Sequence, residues 1–184
     1  MKKILTIILG LSLSSSTFAQ INPITGNGIV HIINHDDYHS LDLYFTLFTL
    51  DVNSCQGYQA MGPQKPLGPG VITKYRAYTD SDTASGHPYP IDGWYNGSYL
   101  LPNQIPQNIA DNQRWNYMKF ELRELNNPGQ FIPGMGGSVG IYHPCTATGI
   151  PDVLIGNGTT SGGTTYNFTA KAYTMGENLW IDVY

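Results

Sequence analysis

The sequence predicts an all-β protein: a single antiparallel β-sandwich, Ig-like or jelly-roll-like, of about 8–9 strands. Three observations carry that expectation. Apolar and polar residues alternate with period two over most of the chain. Clusters of Gly, Pro and Asn separate the alternating runs. Charged residues make up only 12% of the 184 positions, about half the ~25% common in soluble domains, and no βαβ spacing or charged helical stretch is present. A closed barrel would show the same pattern, because alternation alone does not say whether a sheet closes.

The chain opens with a leader. Lys2 and Lys3 form a positive n-region, residues 4–13 are apolar, and Thr17 and Ala19 stand in the small-residue places of a cleavage site. The apolar run is roughly half of the ~20 residues that a membrane-spanning helix needs, so residues 1–19 read as a cleaved signal peptide and 20–184 as the β-sandwich domain. The mature protein is therefore expected in the periplasm or outside the cell, with no transmembrane segment. Without Lys2 and Lys3, seven Lys and Arg face thirteen Asp and Glu, a net charge of −6. The remaining cations are scattered, so nucleic acid is not an expected partner. In an oxidising compartment the two cysteines, Cys55 and Cys145, are expected to form a disulfide.

Taken in order, residues 29–33 form a first short strand. Leu41, Leu43, Phe45 and Leu47 alternate with Asp42, Tyr44, Thr46 and Phe48 in a long second one. Val71, Thr73, Tyr75 and Ala77 alternate with Ile72, Lys74, Arg76 and Tyr78 in a third. Residues 95–101 form a shorter strand, and 106–113 the only short helical turn. Residues 114–125 fit both a strand face (Met118, Phe120, Leu122) and a helix face (Trp115, Met118, Leu122, Leu125). The Asn126-Asn127-Pro128-Gly129 turn that follows favours the strand. Residues 134–140 and 156–163, rich in glycine, read as loops, with short strands at 138–142 and 152–155. The chain ends in strands at 166–173 and 179–184. The last is hydrophobic and without lysine, open to pairing with a neighbour if it lies at an edge.

The Phe18-Ala19-Gln20 leader end, the Ile32-Ile33-Asn34-His35-Asp36-Asp37 turn, the single Cys pair and the terminal Trp180-Ile181-Asp182-Val183 strand resemble those of small secreted bacterial β-sandwich proteins. The resemblance implies the fold and an exported location, and carries over no catalytic residue.

Two clusters are candidate sites. His31, His35, Asp36 and His39 combine imidazoles with a carboxylate, the donor set of a zinc or other divalent ion, although Asn34-His35-Asp36-Asp37 is equally good turn chemistry. In the stretch 87–99, Tyr89, Asp92, Trp94, Tyr95, Asn96 and Tyr99 combine aromatic rings with hydroxyl-binding polar groups. Rings of this kind stack on the apolar faces of sugars, unless Trp94 instead plugs the end of the sandwich. No catalytic residue is assigned: GxSxG is absent, and of the carboxylate pair Glu121 and Glu124, Glu121 shares its strand face with Arg123 while Glu124 takes the opposite one, which reads as an ion pair or a solvated face rather than an acid/base couple. No cofactor is expected. The reading is thus a non-catalytic secreted binding module for a glycan or a surface protein. Alternatives are a small metal-dependent hydrolase built on the histidine cluster, and a structural or self-assembling surface subunit using the terminal strand.

Overall fold

A computed structural model describes residues 28–35, 40–61, 66–76, 78, 89, 91–127, 130–146 and 149–184. The leader, Asp36, Asp37, His39 and the acidic 80–87 segment lie outside the described residues. Among the described residues, eleven strands form two packed sheets. The first sheet orders β4 (Val71–Tyr75), β1 (Val30–Asn34), β11 (Asn178–Val183), β10 (Thr165–Met175) and β9 (Val153–Thr159). The second orders β6 (Tyr99–Leu100), β5 (Gly93–Tyr95), β3 (Gln59–Met61), β2 (Leu41–Asp51), β7 (Gln113–Glu124) and β8 (Phe131–Gly140). The all-β sandwich is as the alternation predicts. The additional strands are the short β3, too brief for a periodic signal, and the split of residues 95–101, expected as one strand, into the antiparallel pair β5 and β6 around the turn at residues 96–98. A short α-helical turn, α1 (Gln107–Ala110), falls inside the expected 106–113 window, and a 3-10 turn at Pro102–Gln104 precedes it.

Pairing is antiparallel except between β1 and β11, which run side by side in parallel, Ile32 opposite Ile181. Almost the whole chain lies between these two strands, so no short connection forces them to be antiparallel. The terminal strand β11 is therefore internal, hydrogen-bonded to β1 on one side and β10 on the other, and offers no edge to a second chain.

The two inner faces interdigitate as the alternation requires. Leu43, Leu47, Met118, Phe120 and Leu122 of the second sheet meet Ile32, Phe168, Ala170 and Ile181 of the first, all buried. Phe120 and Phe168 meet edge to face across the layers, centroids 5.5 Å apart. Buried Asn34 anchors the crossing from β1 to β2, its Nδ2 donating to the carbonyls of Leu41 (3.0 Å) and Leu67 (2.8 Å). The double pattern at 114–125 also resolves. Pairing with β2 shifts register between Phe48 and Thr49, which lets Trp115 face inward together with Met118, three residues on. The helical spacing is the trace of that irregularity in a strand.

The glycine-rich 134–140 segment is a strand rather than the expected loop, and β9 runs through Gly156 and Gly158 to Thr159. These glycines serve close approach. A Cβ on Gly134 would collide with the Asn157 carbonyl, one on Gly158 with that of Pro133, and one on Gly136 with that of Phe120. Gly134 also adopts φ +85°, a backbone conformation natural to glycine. The edges β8 and β9 thus close one side of the sandwich against each other, which covers both open ladders.

Candidate functional site

Of the proposed metal cluster, two members, His31 and His35, are among the described residues. His31 lies flat on Trp180, rings 3.9 Å apart and 5° from parallel. His35 stacks on Tyr184 at 4.4 Å, its Nε2 3.7 Å from Asp182 Oδ1. Asp182 is buried and accepts hydrogen bonds on Oδ2 from Tyr173 (2.9 Å) and Tyr184 (3.2 Å). The Tyr173 hydroxyl is pushed up to about 12, first by desolvation and then by that carboxylate. Among the described residues, no three His, Cys, Asp or Glu converge tightly enough for an ion.

The stacking of His31 makes stability pH-dependent. Burial, and secondarily the Lys74 charge, hold the His31 imidazole below its ordinary 6.5. The unfolded chain therefore takes up this proton more readily than the folded one. His31 stability is complete above the unfolded value and is lost as the pH falls through it toward the lowered folded value. A thermal melt series between about pH 8 and pH 5 should show the melting temperature dropping in that window, and less steeply in His31→Phe. Parallel curves would show that His31 contributes nothing to the slope.

The aromatic stretch 87–99 divides by strand parity. Trp94 faces inward and is 0% exposed, its Nε1 donating to the Tyr78 carbonyl at 2.8 Å, so it presents no face to a ligand. Tyr89 is half-buried against Phe45 on the core side. Asp92 is exposed, and its backbone N–H donates to the Met61 carbonyl. Tyr95 and Tyr99 point outward, 47% and 52% exposed, with exposed Asn96 in the turn between their strands. The hydroxyl end of Tyr99 leans over Gly93, where a Cβ would collide with the ring. Glycine at 93 is what lets this tyrosine lie along the sheet.

Register extends the pair into a row. Tyr99 lies opposite Tyr95, Tyr95 opposite Gln59, Gln59 opposite Phe48, and Phe48 opposite Tyr117. Five neighbouring strands thus place four aromatic rings and one amide across the outer face of the second sheet, and Phe48 stacks on Tyr117 at 4.1 Å. With strands spaced ~4.8 Å apart, the row is about 19 Å long. A groove of about 330 Å³ runs beside it, lined by Phe48, Gln59, Tyr95, Asn96, Tyr117 and, at one wall, Cys145. Sequence reading located Tyr95, Asn96 and Tyr99 but missed Phe48, Tyr117 and Gln59. The available signal was that Phe48 occupies the polar side of an alternating strand.

The wall is built by the disulfide. Cys55 and Cys145 are bonded, Cα atoms 5.0 Å apart, tying the turn after β2 to the segment after β8. The turn is set by Asp51, whose carboxylate accepts from Ser54 Oγ (2.7 Å) and the Asn53 N–H (2.8 Å), and these hydrogen bonds lower its pKa. The second segment is also held to β7: Ile141 N–H donates to the Asn116 carbonyl, and Thr146 Oγ1 to Asn116 Oδ1 (3.1 Å). Elsewhere on this face Arg123 pairs with Glu121 and covers the Tyr44 ring, so these charges serve the sheet surface, as the shared strand face predicts.

Fold and groove together define a disulfide-bonded β-sandwich with an aromatic row on one outer face. No family model, curated protein or solved structure matches the chain.

Proposed function

We propose that this protein is an exported, non-catalytic glycan-binding β-sandwich whose ligand lies along the aromatic row of the second sheet. The carrying observation is the row itself: half-exposed Tyr95 and Tyr99 continue into Phe48 and Tyr117 with Gln59 and Asn96 beside them. Pyranose rings offer an apolar C–H face and a hydroxyl rim. Aromatic rings take the first, and amide side chains, which both donate and accept, take the second. Exposed aromatic rings aligned across several strands stabilise the fold little, since one side of each faces water. Export is supported by the leader pattern and by the disulfide.

The test is affinity electrophoresis against a panel of soluble polysaccharides, followed by calorimetry with cello-, xylo-, manno- and maltohexaose. Each stacked ring contributes about 1 kcal/mol, so Tyr95→Ala/Tyr99→Ala should weaken binding by roughly tenfold to a hundredfold while the melting temperature holds. A double variant as well retarded as wild type would refute the groove as the binding surface. Binding of a protein but of no glycan would assign the surface to a different partner.

A further inference from the structure

A second depression lies beyond the disulfide-tied segment, at the end of the sandwich. It has a volume of about 390 Å³ and shares Leu50 and Asn116 with the groove. Buried Trp115 and Leu179 line it, and Arg114, Tyr142, His143 and Glu177 contribute its polar and aromatic groups. Resting on the glycan-binding reading, we propose that this end cleft is the terminal subsite of the same ligand. It receives the last ring of a neutral sugar chain and makes the module a binder of chain ends.

Three observations converge on that assignment. The segment 141–146 stands between groove and cleft, contributing Cys145 to one and Tyr142 and His143 to the other. It is rigidly held by the disulfide, by two hydrogen bonds to Asn116, and by its own His143–Thr146 turn (2.7 Å). On it, Tyr142 is 77% exposed, more than any other large hydrophobic side chain among the described residues. A tyrosine held out to water on a pinned ridge is preorganised for stacking and costs the core nothing. The polar groups suit hydroxyls rather than a charged ligand. His143 Nδ1 accepts from the Cys145 N–H (3.2 Å), which leaves Nε2–H as a donor. Arg114 also donates, and Glu177 accepts. Neither Arg114 nor Glu177 is in an ion pair among the described residues. Donors and an acceptor around one cleft match vicinal hydroxyls, which do both, whereas the opposite charges offset each other toward a net anion or cation.

Calorimetry with the best-binding hexaose, and with a polymer of the same sugar of known length, reads the difference. End recognition predicts one protein per polymer chain, whatever its length. Tyr142→Ala should lower hexaose affinity by about tenfold with an unchanged melting temperature, and Arg114→Gln and Glu177→Gln should each weaken it severalfold. Several proteins per chain would overturn the assignment. So would full hexaose affinity in all three cleft variants alongside loss in Tyr95→Ala/Tyr99→Ala, a result that leaves the groove standing. A wild-type protein that binds none of the hexaoses or polymers would overturn groove and cleft together.

Discussion

Replacing Cys55 and Cys145 together by serine is expected to lower the free energy of unfolding by about 4 kcal/mol. The bond joins residues 90 apart in sequence, and the chain-entropy cost of closing a loop of that length is borne by the unfolded state when the crosslink is present. Both partners sit on connections outside the sheets, so the β2–β7 ladder and the inner faces survive the change, and the variant should fold to the same architecture. Urea denaturation of oxidised wild type and the double variant measures the difference, with a larger change in exposed surface on unfolding for the variant. A loss below about 1 kcal/mol would mean that the unfolded chain is already compact enough around residues 55 and 145 for the crosslink to restrict it little. The functional consequence is separable from the stability one. Without the bond, the segment bearing Tyr142 keeps its hydrogen bonds to Asn116 and its own His143–Thr146 turn but loses its tie to the turn after β2, and ligand affinity should fall even where the protein is fully folded.

What alternation can reveal, it reveals here in the long strands. In β10, and in β7 from Met118 to Leu122, the apolar parity is the buried parity, because one face of each sheet packs on the other; in β2 and β11 Asp42, Tyr44 and Asp182 of the opposite parity are buried as well. It fails for β8, where Ile132 and Met135 are both buried three residues apart on either side of Gly134. The positive φ there resets the parity, and the glycines that look like a loop are the positions where β9 and β7 come too close for a side chain. The candidate site was legible only in part for a related reason. Tyr95 and Tyr99 are neighbours in sequence, and their exposure follows from short-range parity. Phe48 and Tyr117 join them through pairings between segments dozens of residues apart, and pairing register is set by turns and packing that no local pattern states. His31 and His35 likewise share a face by parity, but what that face offers them, Trp180, Asp182 and Tyr184, arrives from the other end of the chain.

Trp94→Ala should be the most damaging single substitution in the hairpin, costing about 4 kcal/mol, while Trp94→Phe should cost about 1–2 kcal/mol. The indole is fully buried, meets Tyr78 edge to face at 4.6 Å and tilts against Trp115 at 6.2 Å, so its removal opens a cavity between aromatic neighbours that cannot collapse freely. Its N–H satisfies the Tyr78 carbonyl, and phenylalanine would leave that oxygen unpaired while filling most of the space. The two substitutions separate packing from recognition. Trp94 stands between Gly93, over which Tyr99 leans, and Tyr95, yet faces the opposite way. If the ligand is bound by the outer row, Trp94→Phe should keep full glycan affinity below its lowered melting temperature, whereas Tyr95→Ala/Tyr99→Ala should do the reverse. Loss of binding in folded Trp94→Phe would mean that the indole reaches the ligand after all, and equal stability of Trp94→Ala and wild type would contradict its place in the core.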